Sequence, residues 1–221
     1  PIEIPTIKIE KVQDNKELEN EIKNIKDYTY LVLTSKNGVD IFFDKLDELG
    51  LDCRALANIK VCSIGAATSK AIQRRGIKPD IQPKNAVGES LYDELKDIVT
   101  KDDKILIPRA KNARKFLVEK LNEISNVTEV ITYESVMDDS KKEEAIKALE
   151  EGNLDYITFA SSSTATNFIN LIGEENKDKL SNTKIISIGR ITTKTILDNN
   201  LEVYKQAENA SIESMIEAMS E

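Results

Sequence analysis

The sequence predicts an α/β fold: two similar, doubly wound parallel-sheet lobes joined by a two-stranded hinge, with the active-site cleft between them. Three observations predict it. The chain repeats itself at a nearly constant offset, each copy alternates short apolar strands with helical patterns, and only two extended runs cross between the copies.

The repeat is visible in three blocks. Tyr30-Leu-Val-Leu-Thr-Ser35, followed by Asn37, Phe42 and Phe43, returns as Tyr156-Ile-Thr-Phe-Ala-Ser161, followed by Phe168 and Ile169, at an offset of 156 − 30 = 126. Asn58-Ile-Lys-Val-Cys-Ser-Ile-Gly65 with Thr68, Ser69 and Lys70 returns as Asn182-Thr-Lys-Ile-Ile-Ser-Ile-Gly189 with Thr192, Thr193 and Lys194, at 182 − 58 = 124. Asn85-Ala86 with Glu89-Ser90 matches Asn209-Ala210 with Glu213-Ser214 at the same offset. One fold is therefore present twice, in series.

The elements follow in order. Leu31–Leu33, Val61–Ile64 and Ile105–Ile107 are short apolar runs of the kind used by strands covered on both faces. A helical pattern follows each, at Asn37–Leu49, Ala66–Arg75 and Asn112–Glu123. Gly50 and Gly76 stand just past two of these, where a left-handed C-cap belongs. Strand–helix alternation at this spacing implies right-handed βαβ units. The second copy supplies strands at Ile157–Phe159 and Ile185–Ile188 and a weaker one near Glu202–Tyr204. Pro5-Thr-Ile-Lys-Ile9 and the β-forming run Thr128–Glu134 are the two crossings. The expected lobes are 11–126 and 135–221, with hinge strands at 5–10 and 127–134. The second copy has no counterpart of the strand and helix in Lys104–Glu123, so it is expected to lack a unit that would stand upstream of residue 1; the other reading is a C-terminal lobe with a smaller sheet.

Composition narrows the function. With 31 Lys and Arg against 39 Asp and Glu the net charge is −8, which argues against a general nucleic-acid binder. Histidine is absent, so the usual near-neutral general base, His metal ligands and His-assisted nucleophiles are all excluded. Cys53 and Cys62 form no CxxC or disulfide framework, and a reducing, cytoplasmic setting is expected. Both read as small buried or semi-buried residues. No apolar run reaches the ~18 residues of a membrane span. The acidic pairs Asp102-Asp103 and Asp138-Asp139 read as loop charges.

Six motifs in order resemble the uroporphyrinogen-III synthases. They are Thr34-Ser-Lys-Asn-Gly-Val39 with Phe42-Phe43, Ile64-Gly-Ala-Ala-Thr68, Ile107-Pro-Arg109 with Arg114, Val130-Ile-Thr-Tyr133, Phe159-Ala-Ser-Ser162 and Ile188-Gly-Arg-Ile-Thr192. Arg190 and Ile191 depart from the family pattern, where Pro and, in some members, a second Thr are found. The resemblance implies closure of the linear tetrapyrrole hydroxymethylbilane to uroporphyrinogen III, with inversion of ring D and without a metal or other cofactor. Domains of this family also occur fused behind a tetrapyrrole methyltransferase, which implies a uroporphyrinogen-III methyltransferase as a fused or adjacent partner.

That substrate carries acetate and propionate groups on each ring and is strongly anionic, whereas the protein is acidic, so local donors must hold it. The turns at the strand C-terminal edges offer free helix N–H groups. The candidate binding residues are Thr34, Ser35, Lys36, Asn37, Gly65, Thr68, Ser161, Ser162, Gly189 and Thr192, with Arg109 and Arg114 as bidentate carboxylate partners. Ser and Thr at these places also suit helix N-caps. Tyr133 is the candidate catalytic residue. Loss of a hydroxyl as water needs a proton, a phenol is protonated at neutral pH, and the resemblance assigns the family's Tyr to that departure. The competing reading is a non-catalytic cytosolic two-lobe small-molecule-binding or regulatory module.

Overall fold

In the computed structural model, residues 1–152 and 154–220 are described; Asn153 and Glu221, both within the second expected lobe, lie outside them. The chain divides into two compact units, Ile9–Ser135 and Pro1–Lys8 with Val136–Glu221. The division falls inside two strands, β1 (Ile7–Lys11) and β5 (Asn126–Met137).

The Ile9–Ser135 unit continues from β1 with α1 (Lys16–Lys23), β2 (Tyr30–Leu33), α2 (Lys36–Glu48), β3 (Lys60–Ser63), α3 (Ala66–Arg74), α4 (Gly88–Leu95), β4 (Lys104–Ala110), α5 (Phe116–Ile124) and β5. Its sheet has the order β1-β5-β4-β2-β3. The β5–β4, β4–β2 and β2–β3 pairs are parallel. β1 runs antiparallel to β5: Val12 N–H donates to Thr132 O, and Asp138 N–H to Thr6 O. Period-two alternation divides the strand residues between two faces. Leu31, Leu33 and Val61 pack with Val39, Phe42 and Ile72 on one side. Val32, Cys62 and Ile105 pack with Leu91, Leu95 and Leu121 on the other. Both faces are thus covered by helices, which explains why the strands read as continuous apolar runs.

The second unit continues from β5 with α6 (Lys142–Glu150), β6 (Tyr156–Phe159), α7 (Ser162–Ile172), β7 (Lys184–Ser187), α8 (Arg190–Asp198), β8 (Lys205–Gln206) and α9 (Ile212–Ser220). Its sheet is parallel in the order β6-β7-β8. Ile185 packs with Phe159, Leu171 and Ile196 on one face, and Ile186 with Met215 and Ala218 on the other. β2 has a neighbour on each edge, whereas β6 pairs with β7 alone among the described residues.

The repeat extends to hydrogen bonds. Ser63 Oγ lies 2.6 Å from Ser69 Oγ, which donates to Gln82 Oε1 at 2.5 Å. Ser187 Oγ lies 2.6 Å from Thr193 Oγ1, which donates to Gln206 Oε1 at 2.8 Å. The second triad stands 187 − 63 = 193 − 69 = 206 − 82 = 124 residues after the first. Each triad ties a strand end to the following helix and to the next extended segment.

Three boundaries differ from the sequence reading. The helix expected from Asn112 starts at Phe116, because 111–115 is bonded elsewhere: Lys111 N–H reaches Tyr133 O, Asn112 Nδ2 reaches Ser135 O, and Ala113 O accepts from Arg109. The weak strand near 202–204 lies at Lys205–Gln206, and its counterpart in the other unit is a single Cys62–Ile81 bridge between Pro79 and Pro83. A proline on each side removes ladder donors there. The run 128–134 is part of the longer β5, which also pairs in parallel with β4.

Candidate active site

β4 and β5 meet at an irregularity that aims the central side chain. Their register runs Arg109↔Ile131 and then Ala110↔Tyr133, so Thr132 is the extra residue of a bulge. Val130 and Tyr133 consequently pack in the same cluster although they are three residues apart. Strict alternation would put them on opposite faces, and re-aiming a side chain is what a bulge does. Tyr133 is 5% exposed. Its Oη lies 2.7 Å from Ser35 Oγ.

Ser35 follows β2 and is the N-cap of α2, accepting the Gly38 N–H at 3.0 Å. Tyr133, Ser35, Thr34, Arg109 and Arg114 line one cavity of about 250 Å³, with apolar walls that include Ile107 and Leu117.

The two arginines differ. The Arg109 side chain is 3% exposed; Nη1 lies 3.0 Å from Glu129 Oε1, and Nη2 donates to Ala113 O. Nη1 is also the one buried side-chain polar atom among the described residues without a hydrogen-bond partner. The 3.0 Å approach is therefore a charge contact whose N–H is not aimed at the carboxylate. Arg114 is 70% exposed and grips Glu89 with both terminal nitrogens, at 2.8 and 3.3 Å. The Glu89 carboxyl is held below its usual range first by its own backbone N–H at the start of α4, and further by Arg114.

The other candidates are distributed. Lys36 and Asn37 open α2, Lys36 exposed and Asn37 half-buried. Gly65 is the N-cap of α3 at φ +80, and a Cβ there would meet Ala86 Cβ at 3.0 Å, so both backbone and space require glycine. Thr68, one turn on, is 4% exposed. In the other unit Ser161 caps α7 through the Thr164 N–H at 3.1 Å and Ser162 is its first residue. Gly189, N-cap of α8, has extended backbone and open space, and Thr192 is 3% exposed. Cys62 is buried with its thiol pushed up to about 12, chiefly by desolvation.

A family model described as "Uroporphyrinogen-III synthase HemD" matches residues 1–217. The chain belongs to the uroporphyrinogen-III synthase family. A Ruminiclostridium josui protein named "Porphyrin biosynthesis protein HemD" is 33% identical over 223 residues, a match that takes in 100% of this chain and 43% of that protein. The chain thus spans less than half of that relative's length. A Synechococcus elongatus "Uroporphyrinogen-III synthase" is 26% identical over 228 residues, covering 100% of this chain and 85% of the relative. Among solved structures, a mutant uroporphyrinogen III synthase from Thermus thermophilus superposes with TM-score 0.63 at 18% identity, over 100% of this chain and 88% of that one. A uroporphyrinogen-III synthetase from Helicobacter pylori gives 0.61 at 21%, over 96% and 88%. These two likenesses concern the two-lobe fold.

One residue beside the cavity escapes a reading by motif. Glu129 faces Arg109 from mid-β5, and only strand register brings the two together. Glu89 did carry a signal, since it belongs to a repeated block and its counterpart Glu213 is likewise held low by its own backbone N–H at a helix start. No helix among the described residues is long and apolar enough to cross a membrane.

Proposed function

We propose that this protein is a uroporphyrinogen-III synthase that closes hydroxymethylbilane to uroporphyrinogen III with inversion of ring D, and that Tyr133 assists loss of the hydroxyl. Family membership supports the reaction. The single observation that carries the site is Tyr133, which follows the bulge, lines one cavity together with Arg109 and Arg114, and has its hydroxyl against Ser35 at the start of α2.

In the proposed step the Tyr133 O–H hydrogen-bonds the hydroxymethyl oxygen. The C–O bond breaks with its electron pair on oxygen, the Tyr133 proton passes to that oxygen so that water leaves, and an azafulvene cation remains. The far pyrrole attacks it at its substituted carbon, and the spiro intermediate fragments and recloses with that ring reversed. Because the chain carries −8 overall, substrate carboxylates meet Arg114, which exchanges Glu89 for them, and the N–H groups opening α2. The same reading takes Gly65–Thr68, Ser161–Ser162 and Gly189–Thr192 as further carboxylate turns. The compartment is proposed as cytoplasmic, and a uroporphyrinogen-III methyltransferase as fused or adjacent partner.

The test supplies hydroxymethylbilane, oxidises the product and separates the isomers. Isomer III above the spontaneous isomer I is expected. Tyr133→Phe is expected to slow turnover by about 10- to 1000-fold with the fold intact. Isomer I alone would overturn the enzyme reading in favour of a two-lobe binding module. Unchanged kcat in Tyr133→Phe would remove Tyr133 while leaving the activity.

A further inference from the structure

The Ser35–Tyr133 contact constrains what each hydroxyl can do. A hydroxyl has one proton and two lone pairs. One lone pair of Ser35 Oγ is filled by the Gly38 N–H at 3.0 Å. Its proton and second lone pair remain for Tyr133 Oη, 2.7 Å away. Once the phenol proton turns to a substrate oxygen, that contact persists only with Ser35 as donor. Ser35 then has no proton left for a substrate carboxylate, since its one unused site is an acceptor.

We propose that Ser35 is a positioning residue for Tyr133 and not a carboxylate-binding residue, an inference that rests on the reading of Tyr133 given above. The donors run in one direction: Gly38 N–H to Ser35 Oγ, Ser35 O–H to Tyr133 Oη, and Tyr133 O–H to the leaving oxygen. When the C–O bond breaks, its electron pair goes to oxygen, the Tyr133 proton completes water, and the phenolate keeps the Ser35 hydrogen bond. It then lies one hydrogen bond from the N-terminus of α2, where partial positive charge favours an anion. The proton lost from the free carbon of the far, inverted pyrrole as that carbon closes the ring restores the phenol. The geometry is held from both sides. A Cβ on residue 38 would come within 3.2 Å of Ser35 Oγ, with the Pro108 carbonyl oxygen in ordinary contact at 3.5 Å, so a side chain beside the donor N–H would press directly on the Ser35 hydroxyl. On the other side the β5 bulge sets the phenol.

The test is a double-mutant cycle with a spectroscopic control. Ser35→Ala is expected to lower kcat about tenfold, the scale of a hydrogen bond to a charged group, with KM nearly unchanged. Ser35→Thr, which keeps the hydroxyl and the cap, is expected to restore most of the rate. In the Tyr133→Phe background, Ser35→Ala is expected to cost no further kcat. Independent losses in the double variant, or a Ser35→Ala effect confined to KM, would overturn the proposal and return Ser35 to substrate binding. The contact itself is read without substrate, from the ring carbon bearing the hydroxyl in ¹³C-tyrosine-labelled protein, with the Tyr133 signal identified by its loss in Tyr133→Phe. Ser35→Ala should move that signal and Ser35→Thr should largely keep it; an unmoved signal in Ser35→Ala refutes the hydrogen bond. A moved signal in a protein that forms no isomer III would overturn the functional reading and leave the contact standing.

Discussion

Replacing Glu129 by Gln is expected to destabilise the Ile9–Ser135 unit by about 2–4 kcal/mol, near the lower end for breaking a buried ion pair. The magnitude follows from the surroundings. Arg109 Nη1 lies 3.0 Å from Glu129 Oε1, and the Arg109 side chain is 3% exposed. At an effective dielectric constant of about 20 a contact at that distance has a gross attraction of roughly 5–6 kcal/mol. Glu129 is 27% exposed, so less desolvation opposes the pair and water partly screens it. After the substitution Arg109 keeps the Ala113 carbonyl but loses its counter-charge. Urea unfolding followed by circular dichroism measures the loss, and hydrogen exchange assigns it to one unit, because two compact units need not unfold as one. Replacing both residues, Arg109→Met with Glu129→Leu, should recover most of the stability, since an apolar pair leaves no charge to solvate. Glu129→Gln costing under about 0.5 kcal/mol, the scatter of surface substitutions, would refute the claim that this pair balances the buried charge. A double variant less stable than Glu129→Gln would refute the apolar-replacement argument.

Gly38→Ala should raise helix propensity by about 1 kcal/mol while pushing Ser35 Oγ, so melting is expected to move little and kcat to fall; unchanged kcat would show that Ser35 tolerates displacement. A thiol reagent should label Cys53 and leave Cys62 unreacted until unfolding, because Cys62 is buried and its thiol is pushed from an ordinary 9.0 to about 12. Folding favours the protonated Cys62 thiol, so its contribution is complete below the unfolded value and is lost as pH rises from about 9 toward 12; Cys62→Val should flatten that alkaline loss, and an unchanged pH–stability curve would count against it. Amides of β6 should exchange faster than those of β2, which has a neighbour on each edge; equal protection in Tyr156–Phe159 and Tyr30–Leu33 would contradict the sheet order.

Much of the fold was legible because it is written locally. Short apolar runs, Ser35 and Ser161 before helices, and Gly50 and Gly76 after them identify strand–helix units without knowledge of any partner. The repeat offset marked the two copies. Register is what local reading lacks. The bulge at Thr132, which decides where Tyr133 packs, is a property of β4 and β5 together. Arg109 was readable as a cation near a strand end, whereas its partner Glu129 and its bond to Ala113 were not, because both depend on which strands become neighbours. The late start of α5 has the same origin. Burial was also out of reach: Thr68 and Thr192 stand at motif positions, yet at 4% and 3% exposure a bulky replacement at either would disturb packing, and binding and folding effects would arrive together.

The duplication also indicates where chemistry and mere anion binding divide. Capped helix starts and Ser/Thr–Gln triads occur in both units at nearly the same offset, and they fix turns at strand ends, where the remaining backbone N–H groups of a helix start can meet an anion. The phenol, the bulge behind it and the buried Arg109–Glu129 pair all depend on the pairing of β4 with β5, and that pairing belongs to the Ile9–Ser135 unit. A reaction on a polyanion that needs one proton delivered at one oxygen requires many equivalent carboxylate contacts and a single donor. On the proposed reading, the repeated features meet the first requirement and the unrepeated ones the second. Substitutions at the repeated turns of the second unit, such as Ser161, Ser162 and Gly189, should then act mainly on KM, and substitutions along the Gly38–Ser35–Tyr133 line, where one copy of the cap meets the unrepeated phenol, mainly on kcat. The reverse pattern would place the proton donor outside the β4–β5 pairing.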